Sequence, residues 1–256
     1  MLSIKGLKKY FGGVRAVDGV SFEIEEGEFT AVIGPNGSGK TTLFNLIIGF
    51  LSPDEGEITF KGKDITGKSP HQISGEGITK VHQISSGLKE LSILENVMLG
   101  FANQKGESIK SIFLEESSVS DEQQKLKQKS LELLKDMKLE KYADELPSSL
   151  DAGALRKVEL LRAMAFDPEL LLLDEPLSGV SPEGMSEVSE ILINLNKKRE
   201  KTLLLVEHNV RKILKIVERV IVLHQGKIIA DGTPSEIKGD KEVIEVYLGG
   251  DYGKNI

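Results

Sequence analysis

The stretch Gly34-Pro35-Asn36-Gly37-Ser38-Gly39-Lys40-Thr41-Thr42 decides the fold of this chain. It matches the pattern G-x-x-x-x-G-K-[ST] at every fixed position. The apolar, β-forming residues 29–33 come directly before it and predict a buried strand. Residues 42–48 come after it and predict a helix that ends at Gly49. The sequence therefore predicts a strand, a glycine loop and the N-terminus of a helix in succession.

Such a succession forms a cradle for an anion. Glycines let backbone N–H groups point inward where a Cβ would obstruct them, and the helix dipole adds positive potential at the same place. Lys40 can reach the β- and γ-phosphates of a nucleotide, and Thr41 can offer its hydroxyl to Mg²⁺. The alternative is a glycine-rich turn with a chance lysine, but the flanking strand and helix favour nucleotide binding.

Composition limits the class of protein. The 256 residues, 39% hydrophobic and 29% charged, suit one large α/β domain or a core with a smaller lobe. There is no cysteine, which excludes disulfides and thiol catalysis, and the four histidines are too scattered for a zinc cluster. A formal net charge of −7 argues against nonspecific binding to nucleic acid or anionic lipid. Because we find neither a signal region nor an apolar run of the ~20 residues that span a bilayer, we expect the protein to stay in the compartment where it is made.

The pattern of the chain changes twice. Residues 1–83 and 167–256 predict β and α/β structure, and residues 84–166 predict a helical lobe inserted between them. Within the lobe, the polar residues 102–122 predict a loosely ordered insertion, and residues 121–137 predict an amphipathic helix. We expect the apolar face of that helix to consist of Leu126, Leu131, Leu133, Leu134 and Met137.

Two carboxylates follow the apolar residues 170–173. Ligands bind at the carboxyl ends of the strands in an open α/β sheet, so Asp174 and Glu175 are expected near the phosphate cradle. Asp174 can hold Mg²⁺ directly or through water, and Glu175 can orient and polarise an attacking water. The alternative is a pair of solvated acids at the start of a loop.

Other side chains allow two interpretations from chemistry alone. His208 follows another apolar strand, where it can contact a γ-phosphate or can serve as a structural cap. Tyr10 and Phe11 precede a pair of glycines. An aromatic ring beside a phosphate site can stack on the nucleotide base, but ordinary packing within a strand explains these rings equally well.

In this order, the motifs closely resemble an ATP-binding subunit of an ABC transporter over almost the whole chain. The resemblance makes Gly34–Thr42 the Walker A loop, and it places Asp174 and Glu175 at the Walker B strand. It implies that Gln83 is the Q-loop residue, with a catalytic role and a role as a magnesium ligand. It also implies that His208 is the catalytic switch histidine and that Phe11 stacks on the base.

The resemblance also implies the fold, cofactors and partners. It implies an α/β P-loop NTPase core with an N-terminal antiparallel β subdomain, an inserted helical lobe, and transport-coupled hydrolysis of ATP with Mg²⁺. The implied partners are membrane-spanning permease subunits, a second ATP-binding subunit and an external substrate-binding protein, with no nucleic acid. The implied location is peripheral, on the cytoplasmic face of the cell membrane.

Within the family, the chain is most similar to the ATPases of branched-chain amino acid importers. The stretches that carry this similarity are Phe11-Gly12-Gly13, Asp64-Ile65-Thr66-Gly67, Leu91-Ser92-Ile93-Leu94-Glu95-Asn96-Val97, Val206-Glu207-His208 and Val243-Ile244-Glu245-Val246-Tyr247-Leu248-Gly249. The alternatives within transport are a urea or amide importer and a lipopolysaccharide-export ATPase. Outside transport they are a soluble ABC ATPase and a nucleotide-binding regulatory subunit with little turnover.

Two motifs depart from the family. The signature loop, usually Leu-Ser-Gly-Gly-Gln, corresponds here to Leu150-Asp151-Ala152-Gly153-Ala154, so that Asp151 replaces the serine that donates to the partner's γ-phosphate. In the D-loop, Ser181 replaces the usual aspartate. A carboxylate repels a phosphate at close range. We therefore expect the working unit to be a heterodimer with a second, different ATP-binding subunit, and the chain alone to be a weak ATPase.

Overall fold

A computed structural model describes residues 1–81, 86–101, 116–207 and 210–248. The described residues form two compact units. The first comprises Met1–Lys80, Glu169–Ser178 and Ser189–Ile256, and the second comprises Val81–Pro168 and Gly179–Val188. The second unit thus spans the whole range 84–166 of the predicted helical lobe, together with the short segment Gly179–Val188.

The first unit begins with an antiparallel sheet, as the resemblance to the ABC transporter family implies. Its strands in spatial order are β2, β1, β4 and β5, with bounds β1 Leu2–Phe11, β2 Val14–Ile24, β4 Glu55–Phe60 and β5 Lys63–Asp64. Alternation in β1 is interrupted, because Ile4 and Leu7 are both buried. The register shifts between them, at Gly6 with its positive φ of 57°, and this irregularity turns Leu7 back to the core.

A second sheet carries the strand that leads into the glycine loop. Its spatial order is β10, β9, β3, β8, β7 and β6, with bounds β3 Phe29–Ile33, β6 Ile78–Val81, β7 Leu170–Asp174, β8 Thr202–Val206, β9 Arg219–His224 and β10 Lys227–Gly232. The neighbours β9, β3, β8 and β7 are parallel, whereas β10 runs antiparallel to β9. Parallel central strands are covered on both faces, which explains why they read as continuous apolar runs.

The described helices include one at each of the two segments predicted to be helical, residues 42–48 and 121–137. Their bounds are α1 Lys40–Ile47, α2 Pro70–Gly75, α3 Ile93–Met98, α4 Glu116–Asp136, α5 Ala152–Ala165, α6 Pro182–Arg199, α7 Val210–Ile213, α8 Pro234–Gly239 and α9 Lys241–Leu248. Residues 234–248 form two helices and not one, because the extended backbone of Asp240 ends α8. None of the helices in the described ranges is both long and apolar enough to cross a membrane.

Two predictions for the helical lobe need correction at α4. The helix begins at Glu116, so the prediction of loose order is wrong for residues 116–122, and residues 102–115 lie outside the described part of the chain. On its buried face, Ser130, Leu134 and Met137 follow one another at helical spacing, whereas Leu131 is exposed. The serine therefore occupies a buried position that the apolar pattern assigned to the leucine one residue later.

The core of the first unit fixes where the glycine loop lies. Helix α1 buries Leu43 and Phe44 in one apolar cluster with Ile4 and Ile58 of the antiparallel sheet and Leu172 of β7. Burial of the α1 side chains against several strands holds the helix N-terminus next to the end of β3. The loop between them therefore has two rigid ends.

Candidate functional site

The conformation of the glycine loop depends on two close backbone approaches. A Cβ added at Gly34 would lie 2.1 Å from the carbonyl oxygen of Leu223, and one at Gly39 would lie 2.1 Å from that of Ala16. Gly39 also has a φ of 107°, a region that residues with a side chain rarely adopt. The loop therefore packs so tightly against β9 and β2 that only glycine fits at these two positions.

Lys40, the first residue of α1, is buried, and its ammonium group contacts the backbone of the glycine loop. Its Nζ donates to the carbonyl oxygens of Gly34 and Pro35, at 2.8 and 2.9 Å, and lies 3.4 Å from the Ser38 hydroxyl oxygen. Burial lowers the pKa of Lys40, and the negative charges of Glu175 and Asp174 oppose that shift. The ammonium is thus held by neutral oxygens in a place where an anion would be a stronger partner.

A cavity of about 380 Å³ opens beside this loop. Its lining combines the glycine loop and the start of α1 with the start of β2 and one acid. The residues are Val14, Arg15, Ala16, Asn36, Gly37, Gly39, Lys40, Thr41, Thr42 and Glu175. The structure therefore brings the loop and Glu175 together as the sequence predicts, whereas nothing in the sequence identified Val14, Arg15 and Ala16 as cavity residues.

Glu175 has an unusual backbone. Its φ is 50°, in the left-handed region that a residue with a side chain enters at a cost. Its N–H donates to the carbonyl oxygen of Val206 at 2.9 Å, and its own carbonyl oxygen accepts from the N–H of Ser178 at 3.1 Å. These two bonds hold the sharp turn that follows β7. The turn leaves the Glu175 side chain in the cavity wall.

The donor set fits a magnesium ion that is completed by a nucleotide. No cluster of three or more histidine or acidic side chains able to hold a metal occurs in the part of the chain that the structure describes. Mg²⁺ does not need such a cage, because it is commonly held by one or two carboxylates together with phosphate oxygens and water. Thr41 in the cavity lining has a hydroxyl oxygen and Asp174 at the end of β7 has a carboxylate, and side-chain oxygens of these kinds fit a magnesium ion that phosphate and water complete.

The two aromatic candidates have different environments. Phe11 ends β1, with 47% of its surface exposed, and its partner across the hairpin is Val14 of the cavity lining. The Tyr10 hydroxyl donates to Asp18 at 3.0 Å, and the tyrosine ring lies beside the Arg15 guanidinium. Phe11 therefore presents the more open ring at the edge of the cavity.

Gln83 and His208 lie outside the described residues, so their predicted roles stay predictions. Next to His208, the Glu207 side chain is almost fully buried, and its Oε1 accepts from the Leu177 N–H at 2.7 Å. This bond ties the end of β8 to the loop after Glu175. Sequence reasoning assigned Glu207 no role, because a single acid after a strand has no distinguishing pattern.

The predicted signature loop lies in the second unit. Asp151 is the N-cap of α5, and its Oδ1 accepts from the Ala154 N–H at 2.8 Å. The Ser149 hydroxyl donates instead to the Leu146 carbonyl oxygen at 2.9 Å. The structure thus places the aspartate, not the nearby serine, at the start of the helix. Of the other residues of the loop, Leu150 is extended, and Ala152, Gly153 and Ala154 form the first turn.

The sequence matches two family models. The model described as ABC transporter matches residues 17–178, which include the glycine loop and both carboxylates. The model described as branched-chain amino acid ATP-binding cassette transporter matches residues 227–253, at the C-terminal end.

Curated proteins and solved structures resemble the chain over nearly its full length. A probable branched-chain amino acid transport ATP-binding protein, LivG of Archaeoglobus fulgidus, is 37% identical over 97% of this chain and 95% of its own length. The high-affinity LivG of Salmonella typhimurium is 34% identical over 97% and 98%. The ADP conformation of an ATP-binding cassette from an ABC transporter superposes with a TM-score of 0.84 at 32% identity, covering 98% of this chain and 99% of that one. Like these proteins, the chain belongs to the ATP-binding family of ABC transporters.

Proposed function

We propose that this chain is the ATP-hydrolysing subunit of an ABC importer for branched-chain or related amino acids. The observation that carries the proposal is that Lys40, Thr41 and Glu175 line the same cavity. This cavity combines a phosphate-binding loop with an acid that can activate water, and hydrolysis of a nucleotide requires both.

Different residues at and around the cavity bind different parts of ATP. The loop N–H groups and the helix dipole bind the phosphates, and Lys40 exchanges its carbonyl partners for phosphate oxygens. Thr41 and Asp174 would hold Mg²⁺, which would neutralise charge on the phosphates. Phe11 stacks on the base. Gln83 and His208 are proposed to complete the site on the γ-phosphate side.

Glu175 supports the chemical step. It orients a water and accepts its proton as the water oxygen bonds to the γ-phosphorus and the bond to the β–γ bridging oxygen breaks. The products are ADP and inorganic phosphate. The left-handed backbone at Glu175, held by Val206 and Ser178, fixes the direction from which its carboxylate enters the cavity.

The proposed substrate rests on the relatives. The curated relatives are named as branched-chain amino acid transport proteins, and the C-terminal residues 227–253 match a model of that same group. The proposed partners are membrane-spanning permeases, an external substrate-binding protein and a second ATP-binding subunit. In that complex the chain is peripheral, on the cytoplasmic face of the membrane.

Nucleotide binding tests the first half of the proposal. We expect Lys40→Ala to weaken MgATP binding strongly, because it removes the buried cation of the cradle. Thr41→Ala should weaken the dependence on magnesium. Lys61→Ala is the matched control, since Lys61 is an exposed lysine of the same unit that pairs with Glu169. An affinity for MgATP as high in Lys40→Ala as in the control would overturn the assignment.

Transport tests the second half. The chain is reconstituted in vesicles with the permeases and the binding protein encoded beside it, and ATP-driven uptake of leucine, isoleucine and valine is compared with uptake of urea. We expect uptake of the amino acids that Glu175→Gln abolishes. Uptake of urea alone would move the chain to a urea importer while leaving the ATPase assignment intact.

A further inference from the structure

The carboxylate assigned to magnesium already has a cation next to it. Lys80 Nζ lies 2.8 Å from Asp174 Oδ2. Lys80 belongs to β6 and Asp174 ends β7, and these two strands are neighbours in the sheet. The pair therefore connects the edge strand β6 to the end of β7, directly before the turn that carries Glu175.

This ion pair is less exposed than the Lys61–Glu169 pair of the same unit. The Lys80 and Asp174 side chains are only 12% and 25% exposed, whereas those of Lys61 and Glu169 are 48% and 40% exposed. Solvent and salt screen a partly buried pair less than an exposed one. The positive charge of Lys80 therefore weakens the attraction between the Asp174 carboxylate and any second cation.

We propose that Lys80 is a positioning residue that holds Asp174 in the nucleotide-free cassette and competes with Mg²⁺ for its carboxylate. The inference rests on the proposed magnesium role of Asp174. Because of this competition, a higher magnesium concentration is needed for the cassette to bind nucleotide together with Mg²⁺ than would be needed without the Lys80 charge.

The chemistry of the two cations explains the competition. A carboxylate that forms a charge-assisted hydrogen bond with an ammonium is a weaker ligand for a second cation, and the two positive charges repel each other. A lysine is a point charge on a flexible four-carbon stem, so it can hold the carboxylate in the nucleotide-free state and withdraw when the metal arrives. Lys40 does not fill this role, because its ammonium is held by the carbonyl oxygens of the loop.

The test measures ADP binding across a series of magnesium concentrations by calorimetry, so that no turnover is required. Lys80→Met keeps the length of the side chain and removes its charge. We expect the magnesium concentration for half-maximal enhancement of ADP binding to fall by about fivefold, the upper end of the range for exposed ion pairs, because this pair is partly buried. Lys80→Arg, which restores the charge, should behave like the unmodified chain, and so should the control Lys61→Met.

A second readout is thermal unfolding without nucleotide. In EDTA, Lys80→Met should melt below the unmodified chain, because it removes the ammonium that lies 2.8 Å from the partly buried Asp174 carboxylate. Addition of Mg²⁺ alone should then raise its melting temperature more than that of the unmodified chain. If Lys80→Met does not fold, Lys80→Gln replaces it in both measurements with the same expected directions.

Asp174→Asn separates the inference from the function on which it rests. We expect this variant to require more magnesium for ADP binding. If it does not, Asp174 is not a magnesium ligand, and both statements fail. If Asp174→Asn behaves as expected but the Lys80 variant shows an unchanged or higher magnesium requirement, the competition is refuted while the magnesium role of Asp174 stands.

Discussion

The Asp151 carboxylate accepts a hydrogen bond from the backbone N–H of Ala154, at 2.8 Å, and so caps helix α5. Aspartate and serine are both good N-caps. The replacement of serine in the signature loop therefore keeps the start of the helix while it adds a negative charge. Substitutions of Asp151 can therefore remove its negative charge while they keep the cap that stabilises helix α5.

The first prediction concerns that charge. If the partner's γ-phosphate faces Asp151, two like unit charges at ~4 Å and an effective dielectric of 20 repel by about 4 kcal/mol. We expect the purified chain to be a weak ATPase that dimerises poorly in ATP. Asp151→Ser and Asp151→Asn, which keep a capping oxygen, should both raise ATP-dependent dimerisation, measured by sedimentation, and turnover.

Asp151→Ala is the control for the cap. It removes the charge and the hydrogen bond to Ala154 together, so it should also lower the free energy of unfolding by about 1 kcal/mol. Brisk hydrolysis by the unmodified chain, unaffected by Asp151→Ser, would contradict the repulsion and remove the reason to expect a heterodimer.

The second prediction compares two glycines of the loop. Gly37 and Gly39 both have positive φ, 78° and 107°, but an added Cβ meets nothing within 4 Å at Gly37 and the Ala16 carbonyl oxygen at 2.1 Å at Gly39. Gly37→Ala should cost only the left-handed backbone, about 1–2 kcal/mol. Gly39→Ala should cost more and should also abolish ADP binding, because the backbone must move. Equal melting temperatures and equal ADP affinities in the two variants would contradict this account.

The third prediction concerns Glu175 as the group that activates water. In the assembled transporter, Glu175→Gln should keep ATP binding and lower hydrolysis by a factor of roughly 10²–10⁴, the contribution of a general base. It should also trap a closed dimer in ATP. Glu169→Gln is the control, since Glu169 is a partly exposed acid at the opposite end of β7, paired with Lys61. Turnover that is the same in both variants would exclude the proposed role.

The fourth prediction concerns the buried acid Glu207. Glu207→Ala leaves the Leu177 N–H without its partner in a buried place, and we expect it to lower the free energy of unfolding by about 1–3 kcal/mol, measured in urea. Glu207→Gln keeps an accepting oxygen and should lose less. The prediction is wrong if the alanine and glutamine variants unfold at the same urea concentration.

The sequence alone determined the features that depend on neighbours along the chain. The glycine loop, its flanking strand β3 and helix α1, and the two acids after β7 follow from local patterns. Apolar runs form the central strands, glycine permits the loop, and Lys40 follows Gly39 at the first turn of the helix. The cap at Asp151 is also a local interaction, between a side chain and the next turn, but it was found in the structure and was not predicted from the sequence.

Only the tertiary structure decided the contacts between distant residues. The pairing of Lys80 with Asp174, the bond from Leu177 to Glu207, and the position of Val14–Ala16 in the cavity wall depend on which strands become neighbours. The burial of Ser130 in place of Leu131 depends on which face of α4 meets the rest of its unit. A residue's type and spacing along the chain predict its secondary structure, but its partners across the fold are chosen by the packing of the whole core.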